Sequence, residues 1–268
     1  MMGEVTFIGA GPGSADLITV RGLKRLQAAQ VVLFDALTDP ALREQAPQAL
    51  WVDVGKRGFC DSTGQTRINA LLVHYAKSHQ RVVRLKGGDA SVFGRLEEEL
   101  QALAAAGIAS EVVPGVTAAI AAAAALQRPL TRRGRGRSVA LTTAVATEAD
   151  GSPVLRSSRS ADTEVFYMAS RQLGALARRL IQSGWPEHTP VCVVSRAGCP
   201  DQLSSDHALG ELASASVLHA GRPSVVTVGV GAEPVAVAAV AAAKAPETHR
   251  LGLESEHNPT ASDRRVLS

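Results

Sequence analysis

At 268 residues with a formal net charge of +3, the chain can bury a sizeable core in one large or two ordinary domains, and two are expected. So mild a charge argues against a nucleic-acid coat and suits a cleft for an acidic small molecule, while aromatic residues at 3% leave few side chains on which bases could stack. Cys60, Cys192 and Cys199 are odd in number and form no C-x-x-C pair, so neither a disulfide framework nor a cysteine metal site is indicated, and a reducing cytoplasm is the expected setting.

The opening "MMGEVTFIGAGPGSADLITVRGL" lacks the charged and apolar regions of a secretory signal. Its apolar run, 4–9, leads into a glycine-rich turn. A dinucleotide turn, G-x-G-x-x-G, needs a third glycine where Ser14 stands; Gly13 comes one residue early, and Pro12 has no N–H to offer a phosphate. The register argues against NAD, although Asp35 supplies the acidic residue that follows such turns. Further candidate strands at 31–34, 50–54, 81–86 and 111–113 alternate with helical patterns. Leu17, Val20, Leu23 and Leu26 share one helical face, and Ile68, Leu71, Leu72 and Tyr75 share another. This alternation predicts an α/β domain with a largely parallel sheet, whose ligand would sit against the loops beyond the strand carboxyl ends: 9–14, 35–39, 55–60, 86–92 and 114–117.

The small-residue run "AAIAAAAAL", 118–126, is too short to span a bilayer, so a soluble protein without membrane contact is expected. At "QRPLTRRGRGR", 127–137, five Arg among Pro and Gly interrupt the pattern and predict a boundary between domains 1–128 and 129–245. The second α/β region has candidate strands near 138–143, 164–169, 191–195 and 224–230, a helix over 171–183 and an Ala/Val-rich closing helix over 232–244. Residues 246–268 are polar and aperiodic, which predicts a disordered tail.

The stretch "VVRLKGGDASVFGRLEEEL", 82–100, carries the clearest chemistry. An apolar strand runs into Gly87 and Gly88, where backbone can approach a ligand, and Asp89 either projects a carboxylate there or caps the next helix. In order with it come "GAGPGSADLITVRGLKRLQAAQVVLFD" from Gly9, "GKRGF" at 55–59, "EVVPGVTAAIAAAAA" at 111–125, "RPLTRR" at 128–133 and "EVFYMAS" at 164–170. This ordered set, spanning roughly residues 4–230, resembles the tetrapyrrole methylases.

The resemblance implies a two-domain α/β fold with mixed sheets and the active cleft between the domains, a homodimer, S-adenosyl-L-methionine as methyl donor, and C-methylation of uroporphyrinogen III to precorrin-2 as the reaction. Donor contacts would fall on Pro12, Gly87, Gly88, Asp89, Val92, Thr117, Ala118, Met168 and Ala197. Asp89 can accept hydrogen bonds from ribose hydroxyls or an ammonium group. Met168 offers adenine a polarizable wall, or simply packs in the core. The family pattern points to Asp35 as proton acceptor, with a helix cap as its ordinary alternative, and to Lys56 as proton donor or carboxylate clamp. Arg95 and Glu98, one turn apart, resemble a further catalytic pair. For a polycarboxylate substrate the basic groups near these loops are Arg57, Lys86, Arg132 and Arg133, the last two belonging otherwise to a solvated linker.

Several positions depart from the family's pattern. Ala90 and Ser91 stand for Pro-aromatic, Leu96 for Gly, Arg132 for His, and Ala144 and Val145 for Gly-His. The alternatives this leaves are a relative with another acceptor, including RNA or a later precorrin, and a donor-binding protein with little turnover. With no dehydrogenase or chelatase segment ahead of Met1, a single activity is expected.

Overall fold

In the computed structural model, residues 3–55, 64–144 and 159–235 are described. The first half supplies β1 (Glu4–Gly9), β2 (Val31–Phe34), β3 (Leu50–Asp53), β4 (Arg81–Lys86) and β5 (Ala109–Val113), which form one sheet in the order β3-β2-β4-β1-β5. Every pairing is parallel, so all strand carboxyl ends meet one edge. Helices α1 (Val20–Gln27), α2 (Gln65–Ser78) and α3 (Leu96–Ala105) make the crossovers. A parallel sheet must be covered on both faces. Alternate residues do this: Val5, Phe7, Val31, Leu33 and Val82 pack with Ile68 and Leu72 of α2 and Leu103 of α3. Ile8, Val32, Val83 and Leu85 pack on the other face with Leu26 of α1.

The strands fall where periodicity predicts them, but the first helix is shorter and turned. Ala15–Leu17 is a separate 3-10 turn. Thr19 then caps α1 by accepting from Gly22 N–H at 3.2 Å, and the buried stripe is Gly22 and Leu26, with Val20 70% exposed. Gly22 sits there because a Cβ would lie 2.9 Å from Ile8 Cγ2.

After β5 comes α4 (Ala118–Ala125). The second sheet contains β6 (Val139–Thr143), β7 (Thr163–Tyr167), β8 (Pro190–Ser195), β9 (Leu203–Ala208) and β10 (Ser224–Gly229), in the order β6-β7-β10-β8-β9. Only β6 and β7 are parallel; the other pairs are antiparallel. One face packs on α5 (Leu173–Gln182) through Leu173, Leu176 and Leu180, and the other carries Ala119, Ala121 and Ala122 of α4. Strand β9 escapes the sequence reading because "LSSDHA" is a polar edge strand paired only with β8. Of the closing helix expected over 232–244, Ala232 ends a 3-10 turn (Val230–Ala232) and residues 233–235 are not helical; residues from 236 on, with the expected tail, lie outside the described residues. Among the described residues no helix is long and apolar enough to cross a membrane.

At the carboxyl edge of the first sheet three loops touch backbone to backbone. A Cβ on Gly9 would lie 2.6 Å from Gly115 Cα and 2.7 Å from Gly88 O. Gly9→Ala should therefore lower stability by about 1–3 kcal/mol or more, since no side chain can yield there. Gly64→Ala, with nothing within 4 Å of the new Cβ, should cost only the difference between glycine and alanine at the N-cap of α2, about 0.5–1 kcal/mol. Urea unfolding of both variants measures the contrast.

Candidate active site

The glycine turn after β1 and the loop after β4 are joined by a two-hydrogen-bond bridge, Gly11 N to Gly88 O at 3.2 Å and Gly88 N to Gly11 O at 2.7 Å. Gly88 takes φ +71°, a conformation that favours glycine. Asp89 completes the joint. Its Oδ2 accepts Gly115 N–H at 2.8 Å and its Oδ1 accepts Ser91 N–H at 2.8 Å as well as the Ser91 hydroxyl. Asp89 thus clamps the β4 and β5 loops and does not cap α3. Burial pushes its pKa up, but the hydrogen bonds from Ser91 and Gly115 outweigh that and hold it below the usual carboxylate range.

The second sheet closes on the same loops. Tyr167 ends β7, and its hydroxyl lies 2.7 Å from Thr117 Oγ1 and accepts Ala119 N–H at 3.2 Å, so a residue of the other sheet satisfies the first turn of α4. The Phe93 ring packs 5.0 Å from the Tyr167 ring. Beyond it Met168 stands at φ +57° and is 51% exposed, so core packing is not its role. Ser14 N–H donates to Gly198 O at 2.9 Å, bringing the turn holding Pro12 against the loop holding Ala197. Ahead of that loop, Ser195 is held by buried His219, whose Nε2 also bonds Ser205 at 2.9 Å. Burial, with His207 and Arg222 nearby, lowers the His219 pKa and keeps it neutral.

The expected donor positions Pro12, Gly87, Gly88, Asp89, Val92, Thr117, Ala118, Met168 and Ala197 thus lie on segments that contact one another. Of the five described non-glycine residues with positive φ, Phe93, Arg95, Met168 and Arg196 lie on or beside these segments, and Gln127 follows α4. Strain so concentrated is characteristic of functional sites.

The basic residues distribute otherwise. Lys86 is buried and bonds Glu99 Oε2 at 2.9 Å, so it faces the core and not a substrate. Burial and the neighbouring Arg84 cation lower its pKa against the pull of Glu99 and Asp35. Arg132 donates to the backbone oxygens of Glu233 and Pro234 and is likewise engaged within the protein; Arg133 is exposed. Asp35, at the end of β2, is paired with Arg84 at 2.6 Å; the cap of the following 3-10 helix is Asp39. Arg95 and Glu98 form a two-point pair, Nε to Oε1 and Nη2 to Oε2 at 2.7 Å each, beside a shallow groove lined by Phe93, Leu96 and Leu100. Lys56, Arg57 and Val145 lie outside the described residues. Sequence reasoning missed Arg84, Glu99, Phe93 and Tyr167. Two cations at i and i+2 in an apolar strand, followed by three consecutive glutamates, were the available signal for the first two.

The tetrapyrrole (corrin/porphyrin) methylase family matches residues 4–213. The chain is 41% identical over 236 residues to a uroporphyrinogen-III C-methyltransferase of Pseudomonas aeruginosa, covering 85% of this chain and 94% of that protein. It is 43% identical to a siroheme synthase of Serratia proteamaculans over 78% of this chain but only 44% of that protein's length. Among solved structures, the uroporphyrin-III C-methyltransferase of Thermus thermophilus complexed with S-adenosylhomocysteine superposes with TM-score 0.74 at 35% identity, covering 85% of this chain and 97% of that one. A cobalt precorrin-4 methyltransferase gives TM-score 0.74 at 30% identity over 86% and 96%.

Asp89→Ala should cost roughly 1–3 kcal/mol by leaving Gly115 N–H unpaired. Because the folded pKa of Asp89 is depressed, its contribution is complete above about pH 4 and drains as pH falls through the folded value. The gap between the unfolding midpoints of wild type and variant should therefore be full at pH 7 and narrow as pH is lowered below about 4.

Proposed function

This chain belongs to the tetrapyrrole (corrin/porphyrin) methylases, and from that premise we propose that it transfers methyl groups from S-adenosyl-L-methionine to uroporphyrinogen III, yielding precorrin-2. The observation that carries the reading is the joining of the 11–14, 87–92, 117–118, 168 and 197 segments through the Gly11–Gly88 bridge, the Asp89 clamp, the Tyr167 hydroxyl and the Ser14–Gly198 hydrogen bond. We assign the two sheets to domains 1–128 and 129–245 with the cleft between them, the assembly to a homodimer and the location to the cytoplasm.

The residues fit the donor. At Gly88 a Cβ would meet nothing closer than 3.9 Å, which leaves room beside bare backbone, and the half-exposed Met168 thioether offers a polarizable face to a purine. Bound there, the donor would supply an electrophilic sulfonium methyl for in-line attack by a nucleophilic pyrrole carbon, with S-adenosylhomocysteine as the leaving group. The chain's own task is to hold the two partners in that line and exclude water, since charge is neutralised as the new bond forms. Asp35, 31% exposed at its side chain, is the base that takes the proton the macrocycle then loses. Lys56, Arg57, Arg133 and Arg95 are the groups that receive substrate carboxylates, with Glu98 orienting Arg95. A second acceptor within the family is favoured by one feature: the family's His is Arg132 here, and Arg132 is tied to the chain near Glu233.

Two measurements test the reading. Calorimetry should detect S-adenosylhomocysteine and not NAD. Anaerobic incubation with S-adenosylmethionine and uroporphyrinogen III should give the masses of singly and doubly methylated products, and Asp35→Asn should lower kcat about 10²-fold with donor affinity intact. Donor binding without either product would transfer the assignment to another acceptor.

A further inference from the structure

Beneath the site lies a buried charge cluster. Arg84 and Lys86 project from one face of β4 toward α3, where Glu99 meets both: Arg84 Nε to Oε1 at 3.1 Å and Lys86 Nζ to Oε2 at 2.9 Å. Gln65 of α2 adds a third donor to Oε1 at 3.3 Å, so both carboxylate oxygens are held and Glu99 cannot turn. Arg84 and Glu99 are 2% and 0% exposed. The guanidinium is a rigid planar fork. With Nε on Glu99 and Nη1 on Leu85 O at 3.2 Å, its Nη2 is left pointing at Asp35 Oδ1, 2.6 Å away.

We propose that Glu99 is a positioning residue for Asp35, acting through Arg84. Burying such a cluster gains little stability over an apolar core of the same volume, so stability alone does not account for it. Its geometry does. Asp35 is the one member that reaches the surface, with 31% of its side chain exposed, and it is the proton acceptor proposed above. Without the Glu99 charge, Arg84 and Lys86 would share Asp35 as their remaining carboxylate and draw it inward. The proposal rests on Asp35 as proton acceptor.

The test uses the full chain, with anaerobic turnover of uroporphyrinogen III and calorimetry of S-adenosylhomocysteine. Glu99→Gln should lower kcat about 10- to 10²-fold while KM for the tetrapyrrole and donor affinity stay within about twofold. Arg84→Lys should behave alike, because an ammonium keeps the charge but cannot span both carboxylates. Lys86→Leu/Glu99→Leu replaces the buried pair by apolar side chains that keep the core packed, and should show the same kcat loss if Glu99→Gln fails to fold. Glu99→Gln added to Asp35→Asn should cause no further fall, since one acts through the other. Independent, multiplying losses would overturn the proposal, as would full kcat in the folded Glu99 variants while Asp35→Asn is impaired. Full kcat in Asp35→Asn would instead overturn the reading of Asp35 and the proposal with it.

Discussion

The rest of the structure depends on a bare-backbone contact: Gly9 and Gly115 bring the ends of β1, β4 and β5 closer than any side chain would allow, and Gly11 and Gly88 bond to each other across the same joint. In a parallel sheet each of these loops would otherwise leave its polar groups to solvent or ligand. Here Gly11 and Gly88 satisfy each other, and Gly115 N–H goes to Asp89. The turn that resembles a dinucleotide cradle is therefore occupied by its own protein. Its amide groups face a neighbouring loop and not an anion, which is the physical content of the displaced glycine register.

Two carboxylates at this edge have opposite fates. Asp89 is consumed by internal hydrogen bonds and fixes the shape of the loop after β4, so what it offers a ligand is limited to remaining lone pairs. Asp35 has one strong partner, Arg84, and stays partly exposed. The difference follows from position: Asp89 lies between β4 and β5, surrounded by amides, whereas Asp35 lies beside β4 next to a guanidinium that comes up from the core. The base proposed above must be held without being used up, and of the two arrangements that of Asp35 leaves carboxylate surface free.

Strand positions were legible because a parallel sheet buried on both faces needs continuous apolar runs, and "VTFIG", "VVLF" and "VVRL" are such runs. The loops that carry the expected donor positions, and that the structure brings together, were legible through ordered motifs. Less legible were side chains whose role depends on a partner distant in sequence. Lys86 looks like a substrate contact until α3 places Glu99 against it, and Arg132 until residues near Glu233 fold back on it. Nothing in "LSSDHA" marks a strand, because β9 needs only one partner and one half-dry face. Tyr167 reads as an ordinary strand aromatic, since its hydroxyl acts 50 residues away, at Thr117.

That last contact explains why a second sheet is needed at all. The loops of the first sheet build only one side of a site, and Thr117 makes no side-chain cap for α4. Tyr167 supplies the missing acceptor at Ala119 N–H, and the next residue, Met168, takes a left-handed conformation and is half exposed. The same sheet holds Ser195 through neutral His219 just before the turn at Arg196 and Gly198, which receives Ser14 N–H. Each connection satisfies a backbone group of the first half with an atom of the second. Prying the halves apart would leave those groups unpaired, at a cost of about 1–3 kcal/mol for each one that stays buried. The rim of the site is thereby fixed before any ligand arrives, which is the condition for a reaction whose rate is governed by alignment.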